Sequence, residues 1–389
     1  MSSERPLGWR EVTVEHVAKN EDRRRVPLSS RERETRSGPY PYWGANGVLD
    51  HIDGYLWEDP RVLIAEDGTV ERDDGGAVVH FARAKFWVNN HAHVLAAASG
   101  TELRWLFYAL SRVKIHSFLT GSVQLKLTQA NLNRITLLKP SPKEQRRIAG
   151  VLTALDDKIA HNRVLSSGAA AAIALEAEHL CQHADSETAL SSVGRFVNGK
   201  AFTKHASGSG RPILRIKELN GGLSAATLWS DISANEDNIA RHHDLLFSWS
   251  GTLDVFRWEG LESLINQHIF KVIPSGDYPV WLVESWIRRH LERFRVTAKD
   301  KAVTMGHIRR EDLDSALVPL PNAESLRSVR FRTDALDTLR GFLAVENHRL
   351  ATIRDTLLPK LVSGELRVPE SFDPDDVLGT LAEEASVTV

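Results

Sequence analysis

Two long stretches of the chain carry apolar residues at helical spacing. The first follows the turn at 139–145 and places its apolar positions at Ile148, Leu152, Leu155 and Ile159. The second places them at Leu336, Leu339, Leu343, Leu350, Ile353 and Leu357. Steps of three and four residues are typical of helices that pack along one seam, as in a coiled coil. Each stretch covers about 38 residues, which predicts a helix about 57 Å long at about 1.5 Å per residue.

Each seam also contains a polar residue, Asn162 in the first stretch and Glu346 in the second. A polar residue at a seam position sets the register of a coiled coil at some cost in stability. A solvated helix edge would accommodate it as well. We expect the two helices to pair antiparallel. The alternative is that both are core helices of a single globular domain.

The segment before each helix mixes predicted strands with a predicted helix. In the first segment, 61–68 and 85–95 predict strands, and 100–119 predicts a helix. In the second, 211–219, 244–251 and 263–273 predict strands, and 278–294 predicts the matching helix. The predicted fold class is therefore α+β (mixed α/β), with two tandem domains separated by two long antiparallel coiled-coil helices.

The chain repeats itself at long range. VNNH at 88–91 recurs as INQH at 265–268, and Trp-Leu at 105–106 recurs at 281–282. Three further pairs follow the same order, namely 67–68 with 250–251, Pro140 with Pro321, and Asn162 with Asn347. The period far exceeds the roughly 20–50 residues of a solenoid repeat. It indicates two domain-plus-helix units, and two similar domains predict two similar binding events.

The net charge of the whole chain argues against DNA binding, whereas the charge of two local windows favours it. The formal net charge of the 389 residues is −2, whereas neutralising phosphates requires excess Lys and Arg. Residues 101–139, however, contain 6 basic and 1 acidic side chains, and residues 281–310 contain 8 and 3. These two basic windows occupy equivalent places in the repeat.

Cysteine usage and hydropathy predict a cytoplasmic protein. Cys181 is the single cysteine, so neither an intrachain disulfide nor a cysteine-rich zinc site is available. The longest run of small apolar residues, at 168–175, is far too short to span a membrane. Residues 1–11 lack the apolar stretch of a signal peptide.

Motifs for chemistry are weak. GRFVNGKA at 194–201 approaches the phosphate loop G-x-x-x-x-G-K-[ST], but Ala201 replaces the hydroxyl that would hold magnesium. His91 and His93 face one side of a predicted strand without a partner at zinc-ligand spacing, and His242-His243 is a loop pair. We find no methyltransferase or nuclease motif. No catalytic residue and no metal ligand is therefore predicted.

Several motifs resemble those of the specificity subunits of type I restriction–modification enzymes. Residues 40–47, 65–68, 85–95 and 121–132 resemble the first target-recognition domain of that family, and 199–219 resembles the opening of a second. KPSPKEQRRIAGVLTALDDKI at 139–159 resembles the family's proline-EQ helix start, and LLPKLVSGEL at 357–366 resembles its C-terminal signature. The resemblance spans roughly residues 7–367. The second helix departs from it, because NAESLRS, from Asn322, lacks a clear EQ start.

The resemblance implies an organisation and a set of partners. It places a first target-recognition domain at 1–141, a central spacer helix at 142–187, a second domain at 188–322, a C-terminal spacer helix at 323–367 and a flexible acidic tail at 368–389. Such a subunit reads a bipartite double-stranded DNA target and recruits two methyltransferase subunits and, for restriction, motor-nuclease subunits. It has no cofactor of its own, since S-adenosylmethionine, ATP and magnesium are expected on the partners.

Candidate contact residues follow from side-chain chemistry. Arg, Lys, Asn and Gln suit base edges, and clustered cations suit phosphates. The predicted DNA contacts are Tyr42, Trp43, Asn46, Lys85, Gln124 and Lys126 in the first domain, and Lys204, Arg215, Lys217, Trp249, Lys299, Lys301 and Arg309 in the second. The predicted methyltransferase-docking residues are Ile148, Leu152, Leu155, Ile159, Leu339, Leu343, Leu350 and Ile353.

Other functions remain open. The chain can be the specificity module of another phage-defence methyltransferase system, or a regulatory DNA-binding protein without enzyme partners. A stand-alone nuclease or methyltransferase is a further alternative, which metal-dependent cleavage or S-adenosylmethionine turnover by the lone chain would establish.

Overall fold

The computed structural model describes residues 6–224, 226–276, 278–300 and 308–374. Their contacts divide into two units. The first unit contains the described residues up to Lys158 together with those from Leu350 onward, and the second contains Ile159–Arg349. Each predicted spacer helix therefore contributes one part to each unit. Of the predicted acidic tail, the residues after 374 lie outside the described part of the chain.

The first unit contains nine strands and the beginning of the first long helix among its described residues. In chain order the elements are β1 (Arg10–Thr13), α1 (Val14–Val17), β2 (Ala18–Asn20), α2 (Ser30–Glu34), β3 (Ser37–Gly44), β4 (Gly47–Ile52), β5 (Arg61–Ala65), β6 (Val79–Ala82), β7 (Trp87–Val88), β8 (Ala92–Ala97), α3 (Leu103–Ser111), α4 (Gln129–Arg134), β9 (Thr136–Lys139) and α5 (Pro142–Gln182).

Three sheets build the first domain. β2, β8, β5 and β6 form one antiparallel sheet in that order, and β4, β3 and β7 form a second, in which β3 and β7 run parallel. β1 pairs with β9 at the base of the long helix. The main core contains the fully buried Trp105 and Leu106 of α3 together with Val62 of β5 and Leu152 of α5. The helix thus begins inside the core of this domain.

The second unit repeats this arrangement. Its elements are β10 (Ser186–Ala189), β11 (Gly194–Asn198), β12 (Arg211–Leu214), α6 (Ile216–Gly221), β13 (Trp229–Ser230), β14 (Ile239–Ala240), β15 (Leu245–Ser248), β16 (Asp254–Arg257), β17 (Ser263–Ile265), β18 (Ile269–Pro274), α7 (Val280–Asp300), α8 (Arg310–Asp314), β19 (Leu317–Leu320) and α9 (Ala323–Ser363). The sheets are β11-β18-β15-β16, β13-β12-β17-β14 with a parallel β12–β17 pair, and β10-β19.

Equivalent backbone hydrogen bonds in the two units show which residues correspond in the repeat. In the first unit the Glu66 amide donates to the His91 carbonyl at 2.9 Å, and in the second the Trp249 amide donates to the His268 carbonyl at 3.2 Å. The two sequence repeats at 88–91 and 265–268 therefore occupy the same place in two copies of one fold.

The local sequence explains one end of each long helix, although α5 ends at Gln182 and α9 at Ser363 instead of the predicted 187 and 367. Ser141 precedes Pro142, and its hydroxyl accepts a hydrogen bond from the Glu144 amide, which closes the first turn of α5. Gly364 follows α9 with a φ of +75°, a conformation that favours glycine and ends the helix. Each helix has 41 residues, about 62 Å at about 1.5 Å per residue. The predicted fold class, mixed α and β with two long helices, is confirmed.

The helices pair antiparallel within each unit. In the second unit, Arg332 contacts Glu176 at 2.7 Å, and Asn162 donates to Asn347 at 3.0 Å. Residue numbers on one helix therefore fall as those on the other rise. Asn162 is fully buried, and its amide also donates to Glu346 at 2.6 Å. The seam polar residue thus meets both its repeat counterpart and the polar residue of the second seam.

Two predicted elements are corrected. The helix predicted at 100–119 ends at Ser111 in α3, and a short 3-10 turn follows at His116–Phe118. The strand predicted at 211–219 ends at Leu214, after which α6 begins, because the Glu218 carboxylate accepts from the Arg215 amide at 3.0 Å and caps a helix there. None of the helices in the described ranges combines the length and the apolarity that crossing a membrane requires.

Candidate nucleic-acid interface

The hairpin between β3 and β4 presents two of the predicted contact residues. Trp43 is half-buried and packs on His80 with ring centroids 5.5 Å apart. Asn46 is exposed in the turn, where Gly47 takes a φ of +126° that only glycine adopts readily. The Asn46 amide therefore projects from the tip of a hairpin whose conformation the sequence fixes.

The segment between Thr120 and Lys126 lies against the turn of that hairpin. Its ends are joined by two backbone hydrogen bonds between Thr120 and Lys126, at 2.9 and 2.8 Å. Leu125 packs in one small cluster with Ala45, the residue before Asn46. Gln124 and Lys126, both exposed, flank Leu125. The structure thus brings four predicted contacts together, two on the hairpin and two on this segment.

Lys126 is held in an ion-pair cluster. Its ammonium lies 2.9 Å from the Glu66 carboxylate, and Arg25 lies 2.7 Å from the other Glu66 oxygen. Burial alone would raise the pKa of Glu66, but the bonds from Arg25 and Lys126 lower it. The carboxylate stays charged and fixes Lys126, which is 48% exposed, at the surface of the domain.

His93 belongs to the same ion-pair cluster. Its Nδ1 lies 2.5 Å from the Asp22 carboxylate and its Nε2 lies 2.8 Å from the Leu127 carbonyl. Both partners are acceptors, so both ring nitrogens donate only when the imidazole is protonated. Asp22, Glu66 and His93 also bring three metal-ligand atoms within 4.8 Å of one another. Because Arg25 and Lys126 already pair with these two carboxylates, an ion-pair cluster explains the arrangement better than a metal site.

Two predicted contacts of the first domain lie elsewhere. Tyr42 is 1% exposed, and its hydroxyl accepts a hydrogen bond from the Leu28 amide at 2.8 Å. It packs in the core and has no surface to offer a base, so we withdraw it from the interface. Lys85 is exposed but lies over the Tyr55 ring, 4.6 Å from its centroid. Nothing places it beside the hairpin tip.

In the second domain the structure unites two predicted contacts in an aromatic slot. Trp249 and Arg309 line a cavity of about 270 Å³ together with Phe196, Phe270 and Arg310. The rings of Trp249 and Phe270 lie 5.6 Å apart, and those of Phe196 and Phe270 lie 5.9 Å apart at 88°. Both arginines are exposed. Sequence reasoning missed Phe196 and Arg310, because only contacts between segments distant in the chain bring them to this cavity.

The remaining basic candidates of the second domain are distributed. Lys204, Lys217 and Lys299 are exposed. The Arg215 guanidinium forms a 2.5 Å ion pair with the buried Glu218, so it stabilises the start of α6. Lys301 lies outside the described residues. In the phosphate-loop-like sequence at 194–201, residues 194–198 form strand β11, and only a short 3-10 turn at Phe202–His205 follows. The segment is therefore not the loop before an α-helix that the motif requires.

The seam residues predicted to dock a partner are largely used within the chain. Side chains at four of these positions are at most 7% exposed, namely Ile148, Leu152, Ile159 and Leu343. Ile148 and Leu152 belong to the core of the first domain. These four cannot form an outer docking surface, because they already pack inside. Leu155 and Leu350 are half-buried, whereas Leu339 and Ile353 are 39% and 47% exposed.

Other apolar side chains on the same helices face solvent. In the second unit, Val164 and Leu175 of α5 are 70% and 74% exposed, and Phe331 and Phe342 of α9 are 86% and 70% exposed. Each pair is 11 residues apart, about three helical turns, so its members share a face. The sequence contains this signal, but the stronger inward seam obscures it.

Comparison with known proteins gives a consistent assignment. Residues 6–166 match the family model for the type I restriction modification DNA specificity domain. Over 142 residues the chain is 36% identical to a putative type I restriction enzyme specificity subunit from Haemophilus influenzae, covering 36% of each protein. Over 125 residues it is 26% identical to the type I restriction enzyme EcoprrI specificity subunit from Escherichia coli, covering 32% of this chain and 30% of the relative. The matched segments span about a third of each relative's length.

The fold extends the likeness to the whole chain. The crystal structure of a type I restriction-modification system S subunit from M. genitalium superposes with a TM-score of 0.60 at 15% identity, covering 93% of this chain and 98% of that one. At this identity the likeness concerns the fold alone. The resemblance that the motifs indicate is confirmed: residues 6–166 match the type I restriction modification DNA specificity domain, and the fold of the chain is similar to that of the M. genitalium S subunit.

Proposed function

We propose that this chain is the DNA specificity subunit of a type I restriction–modification enzyme, in which two domains each read one half of a bipartite target. The observation that carries the proposal is the duplication: the same hydrogen-bonded framework occurs twice, with different side chains at equivalent surface positions. A shared framework suits one mode of docking, and different linings suit two different half-sites.

The chemistry belongs to other chains in this proposal. Several of the described carboxylates with lowered pKa values are held in ion pairs that stabilise the fold, such as Glu66 with Arg25 and Lys126. The chain acts in the cytoplasm as a non-catalytic subunit, and its methyltransferase and motor-nuclease partners bind S-adenosylmethionine, ATP and magnesium.

The outer helix faces provide the surface for the methyltransferase. Phe331 and Phe342 lie on one face of α9 in the second unit, and both are mostly exposed. Exposed phenylalanines three turns apart suit the groove of another helical protein. We propose that they dock the methyltransferase subunit, in place of the buried seam residues.

Co-purification tests this proposal. The chain, co-expressed with the methyltransferase subunit of the same system, should form a stable complex that methylates adenine in a bipartite sequence. Phe331→Glu with Phe342→Glu should weaken complex formation at least tenfold, whereas Leu261→Glu, an exposed apolar residue of the second domain, should not. A lone chain that methylates or cleaves DNA would contradict the proposal, as would a wild-type chain that never binds the methyltransferase.

A further inference from the structure

The two domains contain one cleft each at an equivalent position. In the first domain the Leu127 amide donates to the Glu66 carbonyl at 2.8 Å, and in the second the Ile308 amide donates to the Trp249 carbonyl at 3.1 Å. A helix follows directly in both cases, α4 or α8. Glu66 and Trp249 are therefore repeat counterparts, although one is a carboxylate and the other an indole.

The strand register extends the correspondence across each cleft. His93 is the second residue of β8 and pairs with Ile64 of β5. Phe270 is the second residue of β18 and pairs with Phe247 of β15. His93 and Phe270 are thus counterparts as well. Where the first domain has a carboxylate and an imidazole, the second has two aromatic rings.

The two clefts differ in what lines them. In the first, a cavity of about 350 Å³ is lined by charged and polar side chains, among them Glu66, Arg25 and Lys126, which pair with one another. In the second, Phe196, Trp249 and Phe270 line a cavity of about 270 Å³, with Ile308 and Leu313 (each 2% exposed) among the other lining residues. The first cleft therefore presents paired charges, and the second presents aromatic rings.

The residues that line the slot indicate which kind of ligand it can bind. Aromatic faces bind a flat π system by stacking, and every nucleobase has such a face. Arg309 and Arg310 line the same slot and are exposed, which suits a phosphate next to the base. A base stacked inside a duplex offers only its edges, so it reaches a cavity lined by rings only after leaving the stack.

We propose that the Phe196–Trp249–Phe270 slot binds one unstacked base of the second half-site, with an adjacent phosphate on Arg309 and Arg310. This inference rests on the proposed function for the source of the base. The equivalent cleft of the first domain takes no base in this way, because its lining residues are charged or polar and include no Phe, Tyr or Trp. The two domains therefore read their half-sites by different means.

Mononucleotides test the slot without a target sequence. The full chain is titrated with each of the four deoxynucleoside monophosphates and with 2-deoxyribose 5-phosphate, which lacks a base, and binding is followed by saturation-transfer NMR. At least one nucleotide should bind about tenfold more tightly than the sugar phosphate, since stacking adds to the phosphate contact. Trp249→Ala should remove that advantage and Trp249→Phe should retain most of it.

Surface variants keep the test independent of folding. Arg309→Gln should weaken nucleotide and sugar phosphate alike by several-fold. The control is Arg195→Gln. Arg195 is an exposed arginine next to Phe196 on β11 and pairs with Asp237, so its removal should leave the affinities for nucleotide and sugar phosphate unchanged. Equal affinity for nucleotide and sugar phosphate, or a nucleotide affinity that neither Trp249→Ala nor Arg309→Gln alters, would overturn the proposal.

A second experiment identifies the source of the base. DNA containing 2-aminopurine, placed in turn at each position of the second half-site, is bound by the complex of the chain with its methyltransferase. One position should show a fluorescence change that Trp249→Ala abolishes and Arg195→Gln preserves. Nucleotide binding without such a position overturns the assignment to a DNA base. A wild-type complex without sequence preference instead contradicts the proposed function, while the mononucleotide titration still reports on the slot.

Discussion

A buried ion-pair network joins the second domain to α9, and its acidic member should make the stability of this unit pH-dependent. Asp337 of α9 contacts Arg257 of β16, whose side chain is 4% exposed, and lies 3.3 Å from His243. Arg257 also lies 3.2 Å from Glu284 of α7. Burial alone would raise the pKa of Asp337, but the hydrogen bonds from His243 and Arg257 lower it to about 2.

The size of the effect follows from that pKa. The ordinary value is 3.8, and each pH unit of difference is worth about 1.36 kcal/mol, so the charged carboxylate contributes about 2.4 kcal/mol to stability. Because the pKa is lower in the folded state, this contribution is complete above about pH 4. It is lost as the pH falls from about 4 to about 2, where the folded carboxyl takes up its proton.

Asp337→Asn tests this reasoning. The substitution preserves the shape of the side chain and removes its charge, so the free energy of unfolding at pH 7 should fall by about 2–3 kcal/mol. Urea denaturation of the full chain at pH 7, 5, 4 and 3 should show the gap between wild type and variant narrowing below pH 4. Asp314→Asn, at an exposed position of α8, is the control and should change stability little. A gap that is absent at pH 7, or that is unchanged at pH 3, would refute the argument.

Three further predictions concern the interface, the helices and a helix end. Lys126→Ala should weaken DNA binding across all sequences and flatten its dependence on salt, because one phosphate contact is lost; a salt titration with an unchanged slope would contradict this. Four residues inserted after Ser166, with four inserted after Phe342, add about 6 Å to each helix and should widen the gap in the methylated sequence by one or two base pairs; an unchanged gap in the methylome would exclude a spacer role. Gly364→Ala places a Cβ 2.7 Å from Pro6 at a φ of +75° and should lower the free energy of unfolding by more than about 1 kcal/mol; an unchanged thermal midpoint would contradict it.

The sequence predicts the framework of this protein well because repeated spacing is a local property. The 3/4 apolar pattern specifies both long helices, and the pairs 88–91 with 265–268 specify the duplication. The pattern does not show which side of a helix meets its own domain. The spacing alone predicts that Leu152 docks a partner, yet its side chain is fully buried in the core of the first domain. That Phe331 and Phe342 face solvent could be recognised only once the structure showed which face of α9 packs inside.

The sites were harder to predict because they depend on contacts between distant segments. Trp249 and Arg309 are 60 positions apart and meet only when Ile308 hydrogen-bonds to Trp249. Tyr42 has the composition of a contact residue, but its place between Leu28 and the core of the sheet removes it from the surface. Side-chain chemistry therefore identifies candidate contact residues, but only the fold shows which of them share a surface.

Methylation mapping in the host asks whether this chain specifies a bipartite DNA target. The methylome is sequenced with this gene intact, with it deleted, and with Trp249→Ala in its place. We expect a bipartite adenine-methylated sequence that disappears on deletion, and whose second half alone is relaxed or lost in the variant. Identical methylomes with and without the gene, or a single continuous methylated sequence, would exclude this role.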